Sequence, residues 1–233
     1  MTTGEDLVRI ARRHVGEPYH LGVVAPKRNS QWHGPWDCAE LVSWSVFQTS
    51  GILYGCDNNT NPLLADAFTG FWQRDVLSIG RRIDVDAAAS IPGAAVLRLP
   101  QPGLIGHIVF SEGDGNTIEA HSRLTGVIRG KLAGRRWDMG VLVPGIQYTP
   151  RGEPRPVPQP LLVLRLTNPQ MQGKLVRDVQ RALRDAGFNP GKIDGIFGPN
   201  TVAAVNAFQV SSGFVADGEV GAQTAKALGI TMP

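Results

Sequence analysis

The sequence predicts an α+β fold for the first part of the chain and a small all-α fold for the rest. The first observation is an amphipathic stretch at residues 3–15, followed by a second helical pattern that begins after Asp37. The second is a pair of strand-like runs joined by Gly113-Asp114-Gly115, which predicts an antiparallel hairpin. The third is a proline-rich stretch that precedes three helical patterns. Together they predict N-terminal helices packed on an antiparallel sheet, followed by a three-helix domain.

Composition excludes several classes of protein. The 233 residues carry a formal net charge of +3 without a dense run of lysine or arginine, so we expect no nucleic acid partner. The sequence has no run of about 18 apolar residues, and no membrane insertion is expected. Residues 3–15 lack the apolar core of a signal peptide, which predicts release by lysis or by dedicated secretion. We expect a monomer without a cofactor or a metal.

Prolines mark the change between the two parts of the chain. Six of them lie between Pro144 and Pro160, and this composition favours an extended, semi-rigid spacer. We therefore predict a first domain at residues 1–143, a linker at 144–163 and a second domain at 164–233. All five histidines and both cysteines precede the linker, so the chemistry is expected in the first domain.

The second domain contains an internal repeat. Residues 194–201, with the sequence DGIFGPNT, recur at residues 217–224 as DGEVGAQT. In each copy an Asp-Gly turn leads into a predicted helix, and Pro199 suits the first helical position of the first copy. A longer helix that ends at Gly187 precedes both copies. The pattern predicts a compact three-helix module.

Cys38 is the most informative single residue. Asp37 before it is a favourable N-cap, and apolar residues at helical spacing follow, so the thiol is predicted in the first turn of a helix. The positive end of the helix dipole is expected to lower the thiol pKa and to favour the nucleophilic thiolate. A lone cysteine is also commonly a small buried apolar side chain. Cys56 lies in a loop-like stretch and is interpreted as incidental.

A nucleophilic thiol needs a base, usually a histidine, and a third group that orients the base. His107 begins a strand-like run, and a three-residue turn at 113–115 makes the numbers of facing residues sum to 228. His107 then faces His121 across the hairpin. Two adjacent imidazoles indicate either a Cys-His-His arrangement or a metal site that recruits His33 or Asp37, although no familiar ligand spacing is present.

The first domain resembles the NlpC-type papain-like cysteine peptidases that cut bacterial cell-wall stem peptides. The resemblance spans about residues 7–143 and is carried, in order, by Pro18-Tyr19-His20-Leu21-Gly22, Asp37-Cys38, Pro92-Gly93, Gly106-His107 and Ala120-His121. It implies a papain-like fold in which Cys38 is the nucleophile, His107 is the base and later the acid, and His121 orients His107. It also implies substrate or oxyanion contacts at Tyr19 and Asp37.

The second domain resembles the peptidoglycan-binding domain of many bacterial wall hydrolases. The matching pattern over about residues 175–228 is Val179-Gln180, Leu183, Gly187, Asp194-Gly195-x-Phe197-Gly198, Thr201 and Ala207-Phe208-Gln209. Most of these residues are expected to build the helix bundle. The resemblance implies a sugar-peptide ligand in a shallow groove near the Asp-Gly turns, with Asp194, Gly195, Phe197 and Asp217 as candidate wall contacts.

The first domain also departs from the family pattern. Ala39-Glu40 follows Cys38 where Ser-Gly is usual, which is expected to put a charge beside the substrate. Ala94 replaces the acidic residue that usually follows Pro-Gly, and Ile108-Val109-Phe110 replaces Val-Gly-Ile. Trp32 and Trp36 either wall the cleft or pack in the core. The predicted catalytic set is kept, so hydrolysis is predicted while fine specificity is left open.

Together these observations predict a peptidoglycan hydrolase, a cysteine endopeptidase that cleaves the stem peptide at the D-γ-glutamyl–diaminopimelate bond through a thioester. The alternatives are an N-acetylmuramoyl-L-alanine amidase on the same fold, a non-catalytic wall-binding or virion protein, and a metal-dependent hydrolase. The expected place of action is the bacterial cell wall, in the periplasm or outside the cell. The protein would be a phage lysin or a secreted effector, and an effector would have an immunity protein as a partner.

Overall fold

The computed structural model describes residues 1–101, 105–153 and 162–232. The helices in these ranges are α1 (Gly4–Arg12), α2 (Cys38–Ser50), α3 (Thr69–Ser78), α4 (Val85–Ala89), α5 (Lys174–Asp185), α6 (Pro199–Ser211) and α7 (Ala222–Ala227). The strands are β1 (Arg81–Ile83), β2 (Ala95–Arg98), β3 (His107–Ser111), β4 (Asn116–Ser122), β5 (Gly126–Lys131) and β6 (Met139–Leu142). Across the described ranges, no helix has the length and apolar character that crossing a membrane requires.

The chain divides into two compact units. The first consists of residues 1–133 and 137–157, and the second of residues 134–136 and 158–233. Helices α1–α4 and all six strands belong to the first unit, whereas α5–α7 belong to the second. The predicted α+β fold and the predicted three-helix fold are both confirmed.

The strands of the first unit form one sheet in the order β1-β6-β2-β3-β4-β5, with antiparallel neighbours throughout. Helices α1 and α2 bury apolar side chains such as Leu7 and Leu41 against one face of the sheet, which contributes Ile108 and Phe110. A smaller cluster that includes Val109 lies apart from this main core, as expected for strand residues that alternate between the two faces. The main core therefore fixes α2, and with it Cys38, against β3.

The predicted hairpin is present with the predicted turn. The Glu112 N–H donates to the Asn116 carbonyl at 2.9 Å, and Gly113 and Gly115 both adopt φ values of 84°, which glycine tolerates best. Phe110 pairs with Ile118 and Ser111 with Thr117, so facing residue numbers sum to 228 as expected. The first strand of this hairpin begins at His107.

Part of the predicted linker belongs to the first unit. The Gly4 N–H donates to the Gln147 carbonyl at 2.8 Å, and the Gln147 N–H donates to the Thr2 carbonyl at 3.0 Å. The Arg151 N–H donates to the Ser90 carbonyl at 2.7 Å. Residues 154–161 of the predicted linker lie outside the described residues. The domain boundaries at 143 and 163 stay predictions.

In the second unit, Gln180 of α5 holds the first copy of the repeat together. Its amide nitrogen donates to the Asp194 carboxylate at 3.0 Å, to the Ile196 carbonyl at 3.1 Å and to the Thr201 hydroxyl at 3.2 Å. Its amide oxygen accepts from the Gly195 N–H at 2.8 Å. One buried side chain thus satisfies an Asp-Gly turn and the helix that follows it.

Gln209 of α6 repeats this arrangement in the second copy. Its amide nitrogen donates to the Asp217 carboxylate at 2.6 Å, to the Glu219 carbonyl at 2.9 Å and to the Thr224 hydroxyl at 3.2 Å. Its amide oxygen accepts from the Gly218 N–H at 2.9 Å. The sequence repeat therefore encodes a repeated hydrogen-bond network.

Candidate active site

Cys38 is the first residue of α2, as predicted. Asp37 is the N-cap: its carboxylate accepts from the Glu40 N–H at 2.8 Å and from the Gly22 N–H at 3.2 Å. The Cys38 side chain is buried, with 8% of the residue exposed, and the backbone N–H of Ile108 acts to lower the pKa of its thiol. This influence places the thiol close to the residue that directly follows His107.

The Cys38 thiol has a high pKa rather than the low pKa that the helix position predicts. Burial is the main cause and the neighbouring Asp37 carboxylate adds to it, which together raise the pKa of Cys38 to about 12. The Ile108 N–H and the Arg98 guanidinium act in the opposite direction. Because the loss of solvation outweighs the helix dipole, the thiol is protonated near neutral pH.

His107 is held by a buried carboxylate. Its ring Nε2 lies 2.7 Å from Oε2 of Glu119, and Glu119 is completely buried. The other Glu119 oxygen accepts from the Thr117 hydroxyl at 2.8 Å. A Cβ placed on Gly130 would lie only 2.2 Å from this carboxylate, so the neighbouring strand needs glycine there. Glu119 is therefore fixed from several sides while it contacts the imidazole.

His121 also lies beside His107, as the hairpin register predicts, but with a different contact. The two ring centroids are 6.4 Å apart and the rings meet edge to face. Nδ1 of His121 lies 2.9 Å from the Thr125 hydroxyl. The pairing of β4 with β5 is irregular between Ala120 and Ser122, on either side of His121. The role of His121 as the orienting group stays a prediction.

Sequence reasoning did not single out Glu119 as a functional residue. Residues 119 and 121 are two apart in β4, and a regular strand places such residues on one face. In the predicted register His121 faces His107, and Glu119 is two residues from that position. An ionisable residue between the apolar Ile118 and Ala120 was the available signal, because a buried strand rarely contains an unpaired charge.

Tyr19 pairs with the segment that leads into Cys38, and its role in the site stays a prediction. It forms an isolated parallel β-bridge with Trp36, two residues before Cys38. Burial raises the pKa of Tyr19, and the nearby Cys38 and Asp37 add to the increase. The phenol therefore keeps its proton and is available as a hydrogen-bond donor beside the sulfur.

One expectation about the cleft is wrong. Glu40 is fully buried and does not put a charge beside the substrate: it forms an ion pair with the fully buried Lys27. Its carboxylate also accepts from the Ala67 N–H at 2.7 Å and from the Ala25 N–H at 3.1 Å. Of the two alternatives left open for Trp36, the structure shows core packing, since this side chain is completely buried.

Both cysteines are free thiols. Cys56 is completely buried, and its sulfur contacts the Tyr54 carbonyl at 3.7 Å. Among the described residues, one group of three side chains has the geometry for a metal ion, namely His14, Glu17 and His33. That group contains neither His107 nor His121, so within the described part of the chain the paired histidines of the hairpin belong to no such three-residue group.

The residues proposed for wall binding have different environments. Phe197 is completely buried and Gly195 is buried, so neither offers a side-chain surface to a ligand. Asp194 is exposed and lines a groove of about 330 Å³ with neighbours that include Lys192, Ile196 and Asn200. Asp217 is partly buried in the Gln209 network of the second copy.

Comparisons with known proteins agree with both resemblances. Residues 172–228 match the family described as "Putative peptidoglycan binding domain". N-acetylmuramoyl-L-alanine amidase CwlL of Bacillus licheniformis is 38% identical over 79 residues, which are 31% of this chain and 22% of CwlL. The chain thus spans about a fifth of the length of this curated relative.

Solved structures similar to the chain include the NlpC/p60 domain of peptidoglycan hydrolase SagA, with 21% identity and a TM-score of 0.44 over 61% of this chain and 100% of that chain. The P60 domain from the M. avium subspecies paratuberculosis antigen MAP1204 has 20% identity and a TM-score of 0.42 over 60% of this chain and 93% of that chain. As the sequence predicted, the chain is similar to NlpC/p60 domains in structure and, over residues 172–228, to peptidoglycan-binding domains in sequence.

Proposed function

We propose that the protein is a peptidoglycan hydrolase in which Cys38 attacks an amide carbonyl of the wall peptide. One observation carries the proposal: the backbone N–H of Ile108, the residue after His107, acts on the thiol at the start of α2, and a buried glutamate holds His107. A thiol, an imidazole and a third polar group in this order are the parts of a cysteine hydrolase. The match of residues 172–228 to wall-binding domains supports the same substrate.

The raised thiol pKa defines the first step. Because Cys38 is protonated near neutral pH, His107 takes the proton as the sulfur attacks the carbonyl carbon. The tetrahedral oxyanion is stabilised by the Cys38 N–H at the start of α2 and by the Tyr19 hydroxyl. The intermediate then collapses to a thioester as His107 protonates the leaving amine. His107 next activates water, which hydrolyses the thioester and restores the thiol.

Glu119 is the orienting residue in this proposal. A carboxylate that accepts from Nε2 fixes the ring and its tautomer, so that Nδ1 is the atom proposed to exchange a proton with the sulfur, and it stabilises the imidazolium that forms. The neighbouring His121 is the alternative, since its ring contacts His107 edge-on. Asp37 acts as the N-cap that positions Cys38, because its carboxylate accepts two backbone hydrogen bonds and has no proton to offer an oxyanion when ionised.

The bond proposed for cleavage is D-γ-glutamyl–diaminopimelate in the stem peptide. The second candidate is the N-acetylmuramoyl–L-alanine amide, and the observation that favours it is the name of the relative CwlL. Both bonds are amides, and the same thioester chemistry cleaves either one. The two candidates differ in their products, since an amidase frees the lactyl group of the sugar.

Digestion of purified peptidoglycan by the full chain, followed by mass spectrometry of the fragments, tests the proposal. We expect the parent to release stem-peptide fragments and Cys38→Ala to release none, with Cys56→Ala as the matched thiol control that keeps activity. Equal products from the parent and Cys38→Ala would overturn hydrolysis by this thiol. Unchanged walls in both samples would instead favour a non-catalytic wall-binding protein.

We further propose that the groove lined by Lys192, Asp194 and Asn200 holds the wall ligand. It is concave, and charged and amide side chains in it suit a sugar-peptide. Sedimentation of Cys38→Ala protein with insoluble peptidoglycan measures binding without digestion. We expect Lys192→Ala, added to this variant, to weaken binding severalfold, while Lys226→Ala, an exposed lysine outside the groove, leaves it unchanged. Equal loss from both lysines would indicate general charge attraction.

The proposed place of action is the bacterial cell wall, and the proposed solution state is a monomer of 25.1 kDa. A monomer suits an enzyme whose predicted catalytic groups all come from one chain. Light scattering checks the mass. An immunity protein is proposed only for the secreted-effector case, and protection of expressing cells by a neighbouring gene product tests it.

A further inference from the structure

A second cluster of reactive side chains lies in the first unit, outside the Cys38 site. Nδ1 of His14 lies 2.9 Å from Oε2 of Glu17, and Nδ1 of His33 lies 2.9 Å from Oε1 of the same carboxylate. One ligand atom from each residue lies within 4.8 Å of the others. None of the steps proposed for Cys38 uses these three residues.

The cluster is held in place from one side. His14 follows α1, is almost completely buried and packs edge-on against the indoles of Trp36 and Trp44, with centroids 4.8 and 5.0 Å away. The indole N–H of Trp36 donates to the Glu17 carboxylate. The side chain of His33, by contrast, is 72% exposed. His14 and Glu17 are therefore preorganised as ligands, and a metal ion would reach them from the side of the exposed His33.

Two imidazoles and one carboxylate are a ligand set that zinc uses when it keeps one position for water. With metal–ligand distances of about 2.0–2.2 Å, ligand atoms in a tetrahedral site lie roughly 3.3 Å apart. The two separations of 2.9 Å, each to a different oxygen of Glu17, need to widen by a few tenths of an ångström. The other separations among the three ligand atoms are at most 4.8 Å and need to shorten toward the same value. Imidazole nitrogens favour zinc and its neighbours in the first transition row over calcium or magnesium.

We propose that His14, Glu17 and His33 bind one divalent transition-metal ion, of which Zn²⁺ is the representative. The ion replaces the protons that otherwise lie between the two imidazoles and the carboxylate. The ion would join residues 14–17 to the segment that leads into Cys38. In that segment the backbone N–H of Trp36 already donates to the Pro18 carbonyl at 2.9 Å. We expect the ion to stabilise the position of this segment rather than to take part in catalysis, because it is not at the thiol.

Calorimetric titration of the full chain with ZnCl₂ tests the site, in a Cys38→Ala background so that zinc on this thiol does not contribute. We expect one equivalent of zinc to bind. His33→Ala should weaken binding by more than the roughly 10- to 100-fold that loss of an outer-shell partner costs. His20→Ala removes an exposed histidine outside the cluster and should bind zinc as the background protein does. Co²⁺ should show the visible absorption of a four-coordinate site.

Because His33 is exposed, its replacement is expected to leave the fold intact, and tryptophan fluorescence checks this. Absence of zinc binding in the background protein would overturn the proposal. Unchanged affinity in His33→Ala with unchanged fluorescence would overturn it as well. Glu17→Gln keeps a hydrogen-bonding oxygen and removes the charge, so equal zinc affinity in this variant would also contradict the site.

Discussion

The two units hold their loops with buried polar side chains of different chemical kinds. In the first unit the central groups are ionisable: Glu40 pairs with Lys27, and Glu119 contacts His107. In the second unit they are the neutral amides of Gln180 and Gln209, each of which joins an Asp-Gly turn to the next helix. Both kinds satisfy buried backbone groups.

The networks of the two units differ in whether their side chains can support proton transfer. A buried carboxylate beside an imidazole orients the ring and stabilises its protonated form during proton transfer, whereas an amide has no charge with which to do this. The network around Glu119 contains a histidine next to Ile108, whose backbone N–H acts on the thiol, while each glutamine network closes on its own turn and helix. This contrast supports catalysis by the first unit and a scaffold role for the glutamines of the second.

Lys27→Met gives the largest expected change in stability. It leaves the Glu40 carboxylate buried without its ion partner, which typically costs about 3–5 kcal/mol. Urea unfolding followed by tryptophan fluorescence measures this in the first unit, because all five tryptophans lie there. Arg28→Met, the adjacent exposed cation, is the matched control and should leave the midpoint unchanged. Equal midpoints for both variants would show that the buried pair contributes little.

Glu119→Gln gives the next expected effect, on activity. Loss of the charge that orients His107 should lower kcat on soluble muropeptides on the order of 100-fold. His121→Ala, the matched change on the same face of β4, should cost less than about tenfold if it only packs beside the ring. The pH profile of kcat should also change in Glu119→Gln only. The reverse order of effects would assign the orienting role to His121, as the sequence resemblance implied.

Gln180→Leu and Gln209→Leu test the neutral networks. Each leaves a buried glycine N–H and a threonine hydroxyl with fewer partners, so we expect a loss of about 2–3 kcal/mol in the second unit. Far-UV circular dichroism should show that the second unit unfolds at a lower denaturant concentration. The unfolding midpoint that tryptophan fluorescence reports for the first unit should stay unchanged. Gln223→Leu, an exposed glutamine, is the control. A large change for only one copy would show that the two networks are not equivalent.

Asp37→Asn gives the smallest expected effect, on the reactivity of Cys38. Removal of a negative charge beside the thiol favours the thiolate, so the pKa of Cys38 falls from about 12 and alkylation at pH 8 should speed up severalfold. Iodoacetamide labelling with peptide mapping measures this, and Glu5→Gln serves as a remote control. The parent rate should rise with pH through pH 9 without a plateau. A plateau near pH 7 would show a thiolate already paired with the imidazolium.

Local patterns predicted the elements that carry the site. Asp37 before an apolar helical run located the start of α2, and the glycines of the turn at 113–115 set the hairpin register. They did not distinguish Glu119 from His121, since residues two apart on a strand share a face. The irregular pairing around His121 depends on how β4 pairs with β5. The contact with Thr125 depends on the turn between these two strands. The sequence pattern of the β3–β4 hairpin does not predict either of them.

Patterns in the sequence were enough to predict the α+β and three-helix folds, the place of Cys38 at a helix start and the neighbourhood of His107 and His121. Periodicity, capping and turn chemistry are local, so they can be read along the chain. Three other features became visible only in the packed molecule: Glu119 contacts His107, Lys27 neutralises Glu40, and burial raises the thiol pKa. Solvation and long-range pairing depend on which elements pack together, and sequence spacing alone does not contain that information.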